Sequence, residues 1–182
     1  MSVFFLVLCI LAYIFIRYHL DEGHTTPQQA STLFTEQHQC VYKGHQLKFS
    51  KELLATVVSK YNPFYMQLTE PGREKFIKRL QKFIAAKTFI IHSREGYREM
   101  PILISATAIQ ITFGLEKYLL DRFPFIAVHP EEYIKTNPLR VLMGNVQGNT
   151  ISLSWKHFLR DYSNPTDGKN VGLHEMAHAL QL

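Results

Sequence analysis

The chain has 182 residues, 46% of them hydrophobic and 19% charged, with 20 Lys and Arg against 15 Asp and Glu. That length holds one domain with its own core, and 2 cysteines exclude a disulfide-stapled scaffold. The net charge of +5 would suit nucleic acid, but the basic residues are scattered rather than gathered into a stripe with interleaved aromatics, so no nucleic-acid partner is expected.

From Val3 to Ile16 the chain is unbroken in its apolar character, and with Tyr18 and Leu20 the region approaches the roughly 20 residues that a bilayer span requires. It lacks the basic start and the small-x-small cleavage site of a secretory signal, so residues 2–20 read as a retained single transmembrane helix. The alternative, a first core helix, fits so apolar a segment poorly. Arg17 is the first charged side chain of the chain and follows the run, which tilts the positive-inside rule toward a cytoplasmic C-terminal portion. The expected location is therefore the membrane, single-pass, with the folded domain in the cytoplasm. Residues 21–39 are polar, contain Pro27 and lack periodicity, so they read as a linker. Residues 40–182 form the domain.

Within that domain helix and strand are mixed. Ser50 caps a helix that Asn62-Pro63 ends near Tyr61, and Pro71-Gly72 introduces a second, basic helix over Arg73 to Lys87. There Phe76, Ile77, Leu80, Phe83 and Ile84 recur at helical spacing, so the charges form its wet face. Lys87 to His92 reads as a strand, Ile102 to Leu115 as a buried helix weakened at Gly114, and Phe125 to His129 as another strand. Arg140 to Met143 and Thr150 to Trp155 read as a hairpin joined by the turn residues Gly144 to Asn149. Alternation puts Ile151, Leu153 and Trp155 on one face of the second strand. That strand reads as an interior one, the alternative being a sheet edge that receives an extended peptide. Trp155 to Tyr162 reads as a short helix with His157 on its surface.

The chain closes on Gly172-Leu173-His174-Glu175-Met176-Ala177-His178-Ala179-Leu180-Gln181-Leu182, behind a turn cluster from Asn164 to Gly168 in which Asp167 is a candidate N-cap. In a helix, His174 and His178 stand one turn apart on one face, so both imidazoles can reach a single metal ion. Glu175 can take a proton from a zinc-bound water whose pKa the metal lowers to about 7. The expected metal ligands are thus His174 and His178, the expected catalytic residue is Glu175, and the expected cofactor is Zn2+. The competing reading is an ordinary core helix whose histidines are satisfied by hydrogen bonds.

From Gly148 onward the chain resembles the glucose-regulated zinc peptidases typified by the Mlc titration factor. The likeness rests on a strand ending in Ser154-Trp155, a short helix, the turn Asp167-Gly168-Lys169-Asn170, and His174-Glu175-Met176-Ala177-His178. Upstream it rests on the order of elements. The resemblance implies a zincin-like α+β metallopeptidase domain, related to the catalytic domain of anthrax lethal factor, with an aminopeptidase-type or peptidase activity on a peptide or protein substrate. It implies zinc ligation by His174 and His178 and a proton-shuttling role for Glu175. A transcriptional repressor is a further partner that the resemblance implies, and the alternative function is a catalytically inactive, membrane-anchored regulator that binds such a repressor. In that family the third zinc ligand is a Glu well downstream of the second His, whereas only Ala179 to Leu182 follow here. The third ligand is therefore expected beyond the end of this chain, which reads as the N-terminal part of the domain and is expected by itself to bind zinc weakly and hydrolyse little. His129, His157 and Asp161 are the substitutes within reach of the sequence, and nothing in it favours them.

Overall fold

A computed structural model describes residues 39–93, 99–136, 139–163 and 170–182. The chain divides into two bodies, Met1–Gln37 and His38–Leu182, and the described residues all belong to the second. No helix among them is long and apolar enough to cross a membrane. The expected anchor over 2–20, and the linker apart from Gln39, lie outside them.

Helix α1 (Lys51–Tyr61) starts where Ser50 Oγ accepts the Leu53 amide at 3.1 Å, and it stops before Pro63. Asn62 then caps a short helix the sequence did not announce, α2 (Pro63–Gln67), accepting the Tyr65 amide at 2.9 Å. Helix α3 (Glu70–Ala86) begins before Pro71, which sits in the first turn where its missing N–H costs nothing. Its apolar stripe, Phe76, Ile77, Leu80, Phe83 and Ile84, is buried as the spacing predicts. Helix α4 (Glu99–Thr112) is buried on nearly every side and ends just short of Gly114.

A five-stranded sheet lies against these helices. Its strands are β1 (Cys40–Lys43), β2 (Thr88–Ile91), β3 (Phe125–His129), β6 (Gly144–Gln147) and β7 (Thr150–Ser154), in the order β1-β2-β3-β7-β6. The β2/β3 and β3/β7 pairs are parallel, while β1/β2 and β6/β7 are antiparallel. Ile126, Val128, Ile151 and Leu153 point into the core with Phe89 and Ile91, and Val146 packs against it. Two more strands, β4 (Tyr133–Thr136) and β5 (Leu139–Leu142), form a separate hairpin. The last helices are α5 (Trp155–Ser163) and α6 (Val171–Gln181).

The region from 139 to 149 departs from the expected layout. Arg140 to Met143 does not pair with Thr150 to Trp155. Its strand pairs with β4, and the presumed turn residues Gly144 to Gln147 are themselves the strand facing β7, leaving Gly148-Asn149 as the turn. Gly and Asn favour turns locally, but the β7 ladder satisfies their backbone groups and overrides that preference. β7 is therefore interior, between β3 and β6.

Lys87 ties the core to the loop that leads into β3. It is 3% exposed, its Nζ donates to Leu120 O at 2.8 Å and Phe123 O at 2.7 Å, and it lies over the Phe83 ring. Burial pulls its pKa down to about 8. Replacing it with Met keeps the stem but strands two carbonyls. Lys87→Met is expected to cost about 2–3 kcal/mol of unfolding free energy, read from the urea midpoint at unchanged slope.

Candidate metal centre

Helix α6 is held at its start by two side chains. Asn170 Oδ1 accepts the Leu173 amide at 2.8 Å, and Asp161 Oδ2 accepts the Val171 amide, also at 2.8 Å. Asn170 is thus the cap, in place of the expected Asp167, which lies outside the described residues. Asp161 is buried at 3% exposure, and its other oxygen receives two bonds from Arg160, so its charge is matched. Gly172 lets the helix approach α5: a Cβ there would stand 2.6 Å from the Phe158 ring. Met176 and Ala179 point into the core, which leaves the opposite face of the helix to solvent.

On that exposed face, His174 and His178 direct their Nε2 atoms at one another at 3.0 Å, with ring centroids 4.5 Å apart and planes at 84°. Two nitrogens bound to one tetrahedral zinc, each about 2.0–2.1 Å from it, stand about 3.3 Å apart, so a shift of a few tenths of an ångström seats both rings on a common ion. The donor chemistry fits zinc in this respect. No group of three or more His, Cys, Asp or Glu able to hold a metal occurs among the described residues.

The three substitutes considered from sequence are engaged elsewhere. His157 is not a surface residue. It is 7% exposed, and its Nε2 meets Glu132 at 2.5 Å, a bond that holds the Glu132 carboxyl down to about 2. Asp161 caps α6. His129 is stacked between His92 at 4.3 Å and Tyr133 at 4.0 Å, and burial, reinforced by His92, lowers its pKa to about 4.

Glu175, next to the first histidine, is 5% exposed. Burial raises its carboxyl above the usual carboxylate range, and the neighbouring His174 and His178 oppose that shift. Its side chain lies against the backbone of Gly144 at the start of β6. A Cβ added there would fall 2.6 Å from Glu175 Cγ and 2.7 Å from Oε1. Gly144 is paired strand backbone, so what demands glycine is this close approach rather than a turn. Beside it, the Tyr133 hydroxyl donates to Asn145 Oδ1 at 2.8 Å. Burial and the Glu175 charge push the Tyr133 pKa up to about 12 against the pull of Ser152, so the phenol keeps its proton.

Sequence reading missed Gly144, Tyr133 and Asn145. Gly144 carried a signal, an isolated glycine before alternating residues, but its proximity to two other turn-forming types hid it. Gly144→Ala is expected to displace the Glu175 carboxyl or the β6 backbone and cost about 1–3 kcal/mol of stability, measurable by thermal and urea unfolding.

A family profile described as glucose-regulated metallo-peptidase M90 matches residues 35–182. No curated protein and no solved structure matches the chain.

Proposed function

This chain belongs to the glucose-regulated metallo-peptidase M90 family, and we propose that it is a zinc peptidase in which His174 and His178 hold the metal and Glu175 is the general base. The observation that carries this reading is the pair of Nε2 atoms 3.0 Å apart on an exposed helix face, with a buried carboxyl at the adjacent position. When bound, zinc supplies Lewis acidity and makes water nucleophilic near neutral pH. Glu175 Oε1 receives a proton from the attacking water and delivers it to the departing amine nitrogen. Burial of that carboxyl makes it a stronger base than an exposed glutamate. The third ligand, in this reading, comes from a residue outside those described. The substrate is an extended peptide or protein segment. Strand β6 ends the sheet among the described residues, so its outer edge offers unpaired backbone groups beside Glu175. The apolar stretch at 2–20 would anchor the domain to a membrane with its catalytic portion in the cytoplasm.

The test is cleavage of unstructured peptides by zinc-loaded protein, followed by mass spectrometry, before and after chelation and after zinc is restored. Cleavage that survives chelation overturns the proposal, as does its absence in protein that retains stoichiometric zinc.

A further inference from the structure

β5, Met143 and β6 form one nearly continuous stretch, with Met143 O still accepting the Ser154 amide at 2.7 Å. The β4–β5 hairpin therefore projects from the end of the sheet while staying attached to β6. Between the hairpin and the sheet lies a groove of ≈ 300 Å³ whose lining includes Tyr133, Lys135, Asn145, Gln147, Thr150 and Ser152. Asn145 pairs with Ser152 and Gln147 with Thr150, so all four lie on the sheet face opposite that of Gly144, where Glu175 packs.

The charge of this groove is one-sided. Lys135 is its charged lining residue, and the register places Arg140 directly across from it, an unfavourable like-charge pairing. The acids nearest in sequence are already engaged: Glu131 and Glu132 face Lys156, and Glu132 also binds His157. No ion pair to Lys135 or Arg140 is formed among the described residues. Two cations thus stand beside a groove of mixed lining, Ile134 and Leu142 included, that holds no acid of its own.

The groove is also joined to the candidate metal centre. Asn145, which lines it, follows Gly144, and Tyr133 bonds Asn145 from the hairpin. A peptide extended along the outer edge of β6 sends alternate side chains to opposite faces of the sheet. One set falls on the side of Glu175 and the other on the side of the groove. The volume suits one side chain and its waters rather than a folded partner.

We propose that this groove is a specificity subsite that takes an acidic side chain of the bound peptide, with Lys135 and Arg140 supplying the countercharge. The inference rests on the peptidase reading for the identity of its ligand, but its test does not require turnover. Fluorescein-labelled octapeptides of alternating Ala and Val, with a single Glu, Gln or Lys moved along the sequence, are titrated against the full chain by anisotropy. At one or more positions Glu is expected to bind about three- to fivefold more tightly than Gln, with Lys weakest, and the gap is expected to close in high salt. Lys135→Glu should abolish that preference and turn it toward Lys, and the milder Lys135→Gln should reduce it. Equal affinity for Glu and Gln peptides at every position overturns the subsite, as does a Glu preference that Lys135→Gln and Lys135→Glu leave intact. Charge-selective binding without cleavage in zinc-loaded protein would instead remove the peptidase reading and leave the subsite standing.

Discussion

In the zinc-loaded protein, Glu175→Gln is expected to lower kcat/KM for peptide cleavage by at least about 100-fold while leaving zinc content unchanged, because general base catalysis contributes about 10²–10⁴ in rate. The substitution is nearly isosteric, so the contact with Gly144 and the packing of α6 survive. It removes only the group that accepts a proton. An amide at this buried position donates and accepts hydrogen bonds but does not shuttle protons between water and an amine. Zinc retention measured on the same sample separates loss of base from loss of metal, since His174 and His178 are untouched. The result also discriminates between kinds of protein. A regulator that acts by binding a repressor would keep its biological effect in Glu175→Gln, whereas a peptidase would lose effect and cleavage together.

How much of this arrangement could be read before the structure depended on how local the determining contacts were. The stripe of α3 was legible because Phe76, Ile77, Leu80, Phe83 and Ile84 are set by helical period alone, and all five are buried. β3 was legible from its apolar run, and its bounds Phe125–His129 are those expected. The His174/His178 pair was legible because one helical turn fixes it without help from the rest of the chain. β1 was not, because four residues alternating between half-buried and exposed carry little signal, and its partner, β2 at Thr88–Ile91, lies far along the chain. β6 was not, because Gly144 and Asn145 have turn chemistry and only pairing with β7 holds them extended. His157 was not, because its burial goes with a bond to Glu132, a partner 25 residues away that helical period does not show. The support of Glu175 by Gly144 belongs to the same class, a tertiary contact with no periodic trace.

The second large effect is expected from the histidines. His178→Ala or His174→Ala should each weaken zinc binding by more than about 100-fold, because losing partners one shell further out already costs about 10–100-fold. Each imidazole contributes a nitrogen that the other cannot replace, and the described residues bring no third ligand to the pair. With Nε2 atoms 3.0 Å apart, both rings already present the nitrogen that a shared ion would take. In a titration with a zinc-sensitive dye, the affinity of each Ala variant should lie well below that of the wild type. Zinc retained at full stoichiometry by His178→Ala through prolonged dialysis would place the metal elsewhere. Losses in the double variant that depart from the sum of the two single losses are what a shared ion implies.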